Sequence, residues 1–285
     1  MRNSERYFCG WYFRCQSESQ TIALIPAVHI ADGKRSGSIQ IISDSGCWNA
    51  ALPDGSVSAK APRAVLGESR FREDGLRLSL RDGGVDTEGE LRFDSFASLR
   101  YDIMGPFRYV PFLECRHSVF SMRHRVSGHL RVNGSDYRFE NDNGYIEGDR
   151  GSSFPRQYAW TQCFLEDRGS LMLSAAEIPL GCVRFTGIIA AVCLGGREYR
   201  LATYLGARVM RCAGGELVIR QGDMTLTAAL LDKNARELRA PENGAMTRLI
   251  RENAACRACY ELVKGSQKLL STELDNAAFE YEYSR

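Results

Sequence analysis

Turn residues break this chain at intervals of roughly 8 to 12 positions, and between them apolar residues recur at every second place. That period fits strands, whose successive side chains point to opposite faces. No segment keeps a helical period over three turns. Leu76, Leu78 and Leu80 alternate with Arg77 and Ser79, and Leu91 and Phe93 flank Arg92. One face of each segment is therefore expected in a core and the other in solvent. HLRV, the turn at Asn133-Gly134 and DYRFE make the clearest hairpin, because Asn-Gly accepts the positive φ angles of a tight turn. Further strands are predicted at residues 5–15 and 21–30, and in LMLSAAEI, VRFTGIIAAVCL, EYRLATYL, RVMRC, ELVIRQ and MTLTAALL. TRLIRENAACRACYELV also reads as strand, and Gly195-Gly196 and Gly214-Gly215 read as hairpin turns. The predicted class is all-β and antiparallel.

A chain of 285 residues can hold two domains at the usual ~150 residues each. Gly151-Ser152-Ser153 followed by Pro155 suggests a break, giving expected domains 1–152 and 153–285. Each piece is long enough for one barrel. With 37 basic and 35 acidic residues the net charge is +2, which offers no electrostatic footprint for nucleic acid. The start, MRNSERYFCGWYF, lacks the layout of a signal peptide. The longest apolar run, GIIAAVCLGG, falls far short of the ~18 residues of a membrane helix. A cytoplasmic protein without a transmembrane segment is expected. The ten cysteines, scattered and without a secretion signal, read as reduced thiols. Cys256 and Cys259 stand three apart on a predicted strand and so face opposite ways. His117, His124 and His129 have no ligand spacing, so no metal is expected. No Gly-rich nucleotide loop precedes a helix and no nucleophile elbow occurs, so no cofactor is expected.

Ionisable groups crowd among aromatics between residues 101 and 163. Asp102, Glu114, Glu147, Asp149, Arg108, Arg116 and Arg150 lie there with three of the four histidines. Around them are Trp160, Tyr101, Tyr109, Tyr145, Tyr158, Phe107, Phe112 and Phe154. Burial beside rings shifts carboxyl pKa values upward, so the stretch reads either as a site or as a junction tied by ion pairs. On a strand Tyr145, Glu147 and Asp149 share one face, with Gly144 and Gly148 leaving room for close approach. Glu114 and Arg116 would share a face as a charge pair, with His117 turned the other way.

Four collinear pieces, YFCGWYFR, GYIEGDRGSSFPRQYAWTQC, LRAP and CRACYEL, resemble the tocopherol cyclase family across nearly the whole chain. MGPFRYVPFLECRHSVFSM resembles its bacterial members, and Asp149-Arg150-Gly151 stands where the plant cyclases have Asn-Trp-Gly. The resemblance implies two tandem lipocalin-like antiparallel β-barrels packed side by side, a fold shared with carotenoid hydratases. It implies a cofactor-independent cyclase that closes a chromanol ring on a prenylated quinol in an apolar barrel cavity. Tyr145-x-Glu147 resembles the Tyr-x-Asp acid site of carotenoid hydratases. That makes Glu147 the expected acid, with Tyr145 and Asp149 beside it.

Protonating an isolated alkene needs a carboxylic acid held close, π faces for the cation, and exclusion of water. Trp11, Trp160 and Tyr109 are candidates for the π faces. Glu114, Arg116, His117 and Arg150 are candidates for further substrate contacts. Against this, Trp11 and Trp160 could be core residues, and Glu147 or Asp149 could pair with Arg150 or Arg116. Two functions stay open: an acid-catalysed cyclase or hydratase, and a non-catalytic carrier of a hydrophobic ligand. A third is an interaction protein with filled barrels. The expected partner is a hydrophobic small molecule, and peripheral membrane contact is compatible with it.

Overall fold

The computed structural model describes residues 6–82, 84–111, 113–180, 183–232 and 235–283. Phe112 and Cys182 lie outside them. The first sheet has eleven strands. They are β1 (Tyr7–Gln16), β2 (Thr21–Ala31), β3 (Lys34–Ser43), β4 (Cys47–Leu52), β5 (Ser56–Val57), β6 (Ala64–Leu66), β7 (Ser69–Arg72), β8 (Gly75–Asp82), β9 (Val85–Ala97), β10 (Cys115–Val132) and β11 (Ser135–Gly151). Their order is β4-β3-β2-β1-β11-β10-β9-β8-β7-β6-β5, so β1 closes onto β11.

The second sheet has ten strands. They are β12 (Tyr158–Phe164), β13 (Ser170–Leu180), β14 (Val183–Leu194), β15 (Arg197–Ala202), β16 (Arg208–Ala213), β17 (Glu216–Gln221), β18 (Met224–Leu230), β19 (Arg236–Glu242), β20 (Ala245–Lys264) and β21 (Gln267–Tyr281). β12 pairs with β21, and β19 pairs with β20 beside the main path. These strand pairings are antiparallel among the described residues. This is the two-barrel, lipocalin-like all-β architecture.

The chain divides into two units, each assembled from three pieces. One takes the residues up to Leu99, Cys115–Phe154 and Leu238–Leu249; the other takes Arg100–Glu114, Pro155–Glu237 and Ile250 onward. In the first unit Gln40 Nε2 donates to Arg239 O at 2.9 Å, and Arg239 N donates back to Gln40 Oε1 at 3.0 Å.

The core of the first unit is the period-two set the sequence displays. Cys9, Trp11, Phe13 and Cys15 of β1 join Leu76, Leu78 and Leu80 of β8, Leu91 and Phe93 of β9, and Ile146 of β11. Phe8, Tyr12 and Arg14, on the other face of β1, are buried too. That explains why this strand reads as an unbroken aromatic run with no alternation. The hairpin between β10 and β11 turns at Asn133 (φ 47°) and Gly134 (φ 84°), both in the left-handed region an Asn-Gly turn supplies. In the second unit small residues pack tightly: Ala159 and Cys163 with Ala175, Ala190, Ala228, Ala258, Ala277 and Phe279. Cys256 belongs to that core, whereas Cys259 does not and sits opposite Glu273.

One local expectation changes. The strand read through Leu205 ends at Ala202, and a 3-10 turn (Thr203–Leu205) follows, closed by Gly206 at φ 88°. Thr203 Oγ1 accepts from Ile188 N (2.8 Å) and donates to Thr186 O (3.1 Å), which holds the chain out of the ladder. A second 3-10 turn, Gly105–Tyr109, has Pro106 near its start, where the missing N–H is no loss.

Arg200 fastens the segment before that turn. Its guanidinium donates to Tyr101 O (2.9 Å), Asp102 O (2.8 Å), Tyr204 Oη (3.1 Å) and Glu198 Oε1 (2.8 Å), and lies 3.7 Å from the Tyr101 ring centre.

Two histidines are buried as neutral rings. His29 Nε2 lies 2.9 Å from Ser38 Oγ, and burial pushes its pKa down to about 4. His124 packs on Phe93 and Phe96, and burial pushes it down to about 3. Both titrate near 6.5 when unfolded, so on acidification the unfolded chain takes up two protons that the native state refuses. This stability is complete above about pH 6.5 and falls as pH drops towards 4. The slope should approach about 2.7 kcal/mol per pH unit. Urea midpoints between pH 6.5 and 4.5 check it, and a His124→Gln variant should show a shallower fall.

Candidate functional site

β11 lies between β1 and β10, and its register decides what meets what. His117 of β10 is opposite Asp149, and Val119 is opposite Glu147. From β1, Tyr12 is opposite Glu147 and Gly10 opposite Asp149. Tyr145, Glu147 and Asp149 share a face, as strand geometry requires. It is not the face that carries the apolar core: Ile146, between Tyr145 and Glu147, belongs to that core. The expectation of carboxyls looking into an apolar barrel interior is therefore corrected. Side chains fill the apolar face, and the carboxyls point the other way.

Four of the singled-out residues converge there, and Cys115 adds a fifth. Tyr145 Oη donates to Glu147 Oε2 at 2.5 Å. His117 Nε2 lies 3.1 Å from the same oxygen, as an ion-pair contact not aligned as a hydrogen bond. On the other side of the ring His117 Nδ1 is 3.0 Å from Asp149 Oδ1, and Cys115 Sγ donates to that oxygen at 3.5 Å. Exposure falls along the row. The Asp149 side chain is 23% exposed, His117 11% and Glu147 7%, and Tyr145 is fully buried.

Burial opposes a charge on His117, but the carboxylates of Glu147 and Asp149 outweigh it and hold the ring's pKa well above the usual imidazole value. A raised pKa means the stability from this charge is complete below about pH 6.5 and is lost as pH rises through the folded value. Burial, then the neighbouring carboxylate of Glu147, pushes the Tyr145 hydroxyl up, so it remains a donor. Burial and Asp149 push the Cys115 thiol up in the same way.

His117, Glu147 and Asp149 offer three potential ligand atoms within 4.8 Å of one another. A ligating imidazole must give one nitrogen lone pair to the ion. Here each ring nitrogen faces a carboxylate oxygen, which suits a ring protonated on both nitrogens. His124 is in the core and His129 pairs with Asp136 at 2.8 Å, so the three histidines do not gather.

The remaining singled-out residues lie elsewhere. Trp11 packs in the core with Nε1 donating to Ser58 O at 2.7 Å, and its ring covers Gly148 so closely that a Cβ there would sit 2.6 Å from Cε3. Arg150 Nη1 donates to Ala59 O at 3.0 Å, so it ties down the backbone and does not pair with either carboxylate. Arg116 is opposite Arg150 in register. In the second unit Trp160 is buried on β12 between Ser174 and Glu280, Tyr109 is 78% exposed beneath the Arg108 guanidinium, and Glu114 is exposed. Cys115 escaped the sequence reading, although its place two residues before His117 puts both on one strand face.

No family model matches the sequence, and no curated protein matches it. Solved structures do share the fold. A protein assigned as AttH from Nitrosomonas europaea superposes with a TM-score of 0.54 at 13% identity, over 100% of this chain and 95% of that one. Kievitone hydratase from Nectria haematococca gives 0.53 at 8% identity, over 98% and 89%. CghA, solved with Sch210972, gives 0.60 at 12% identity, over 98% and 89%. At these identities the likeness is one of fold.

Proposed function

We propose that this protein is a cofactor-independent proton-transfer enzyme, a tocopherol cyclase-like cyclase or hydratase acting on an alkene of a prenylated quinol or related isoprenoid. The observation that carries this is His117 held between the carboxyls of Glu147 and Asp149 on a buried strand face. A proton on His117 Nε2, 3.1 Å from Glu147 Oε2, is held away from bulk water and can pass to the carboxyl when the two groups align. Glu147 delivers it to the less substituted alkene carbon; a C–H bond forms, the π bond breaks, and a tertiary cation appears next door. A phenol oxygen of the same molecule closes the ring, or water adds; the proton that either nucleophile then loses passes to water, and the row takes one proton back from water before the next turnover. No oxidant or reductant is consumed. Tyr145 fixes Oε2 through its hydroxyl. The family-like motifs around Tyr145 and Glu147 favour cyclisation. A fold neighbour named as a hydratase favours hydration.

The test is incubation with a geranylated hydroquinol in D2O. Product should exceed protein and carry one non-exchangeable deuterium, read by mass spectrometry. Unchanged probe, retained at one molecule per protein, supports the carrier. One feature favours that second reading: Phe107, Val110, Leu113, Phe185 and Thr203 line an apolar pocket of about 280 Å³ in the second unit.

A further inference from the structure

We infer that the polar face of the first sheet seats the aromatic ring of the quinol over Gly10 and Ala27. His29, braced by Ser38, binds the ring hydroxyl that does not react. The inference rests on the substrate class proposed above and names where its ring lies. Register lays one row across five strands: Ser38 of β3, Ala27 of β2, Gly10 of β1, Asp149 of β11 and His117 of β10. The flanking Ile39, Val28, Cys9 and Trp11 are core residues, so Ser38, Ala27 and Gly10 lie on the face of the carboxyls. The two middle places have almost no side chain. The three atoms nearest to a Cβ built on Gly10 all belong to β2: Ala27 Cβ at 3.1 Å, Pro26 O at 3.5 Å and Ala27 Cα at 3.8 Å. The row therefore dips between Asp149 and Ser38, which stand three strand spacings apart, about 14 Å.

His29 closes the far side of the dip. It is opposite Ser36, yet its Nε2 lies 2.9 Å from Ser38 Oγ, so the ring leans along the face into the row of Ala27. Its Nδ1 is buried and has no hydrogen-bond partner among the described residues. His29 is 4% exposed and Ser38 5%. A buried nitrogen left unmet is costly, and a ligand group that meets it removes the cost. Burial keeps the ring neutral, which suits an uncharged ligand group. A hydroxyl both donates and accepts, so it matches whichever tautomer Ser38 leaves at Nδ1. Leu238–Leu249 encloses this end. Gln40 holds it at Arg239, Pro241 O accepts from Phe154 N at 3.0 Å, and Gly244 N donates to Ser152 O at 2.7 Å. Gly244 also lies against Ile30 O, one residue beyond His29. A quinol whose reacting oxygen is at the Glu147 end has its second oxygen across the ring, towards His29.

Nitrogen NMR of the full-length protein labelled in histidine tests the seat with plain hydroquinone, which has no alkene to react. Hydroquinone should shift the His29 Nδ1 resonance, assigned by its loss in His29→Phe. Phenol, which lacks the second oxygen, should bind at least tenfold more weakly. His29→Phe should bring the two affinities within threefold of each other, a change that loosening of the fold alone would not produce. Gly10→Val, which fills the dip, should weaken hydroquinone binding more than tenfold. An unmoved His29 resonance in millimolar hydroquinone, or equal wild-type affinities for hydroquinone and phenol, overturns the seat. These wild-type results decide if a variant does not fold. Turnover of the geranylated hydroquinol beside an unmoved His29 resonance sinks the seat alone. A shifted resonance without turnover supports the seat and sinks the acid reading.

Discussion

Glu147→Gln is expected to slow turnover of the geranylated hydroquinol by roughly 10²–10⁴-fold, the usual contribution of a positioned acid. Glutamine keeps the shape of the side chain, and its amide oxygen can still accept from Tyr145 Oη, as Oε2 does now. It cannot release a proton. The buried ring of His117 also loses one of the two charges that sustain it. The fold should change little, so the loss should fall on kcat with a smaller effect on KM. The native far-ultraviolet spectrum and the initial rates are read on the same sample. A rate within threefold of the wild type would remove Glu147 from the mechanism.

Arg200→Met is expected to destabilise the second unit by about 3–5 kcal/mol, the cost of breaking a buried pair from one side. The side chains of Arg200 and Glu198 are 5% and 10% exposed, so the loss leaves the Glu198 carboxylate with little water. It also removes the guanidinium donor from the carbonyls of Tyr101 and Asp102, of which Asp102 O keeps only Gly105 N. Trp160 lies in this unit and Trp11 in the other, so single-tryptophan variants can report the two urea transitions separately. The Trp160 transition should move and the Trp11 transition should not. Changing Glu198 to Gln as well should restore part of the loss, because an unpaired carboxylate then becomes a neutral amide. A Trp160 midpoint unaffected by Arg200→Met would show that the clamp contributes nothing.

The strands were legible because their cause is local. Leu76, Leu78 and Leu80 show their buried face in any context, and Asn133-Gly134 turns wherever it stands. The turn at Thr203–Leu205 was not legible. What stops the strand is Thr203 bonding to Thr186 and Ile188, which are distant in sequence. The shared face of Tyr145, Glu147 and Asp149 followed from alternation alone. Which side of the sheet they occupy did not: β1 and β11 are buried on both faces there, so hydropathy carries no sign. The arrival of His117 depends on the register of β10 against β11, a property of the pair. The same dependence turned an expected charge partner, Arg150, into a backbone anchor at Ala59.

The grouping of Leu238–Leu249 with the N-terminal unit bears on how the protein is made. A ribosome emits the strands up to Phe154 first, but the stretch that Gln40 grips at Arg239 comes after the 83 residues from Pro155 to Glu237. At roughly 5–20 residues per second that delay lasts several seconds. During it the nascent first unit lacks one of its three pieces, with the partners of Gln40 still untranslated. The interval is when a chaperone would have most to cover, and a stop codon before Leu238 would leave the N-terminal half unfinished even though all eleven strands of its sheet had been synthesised.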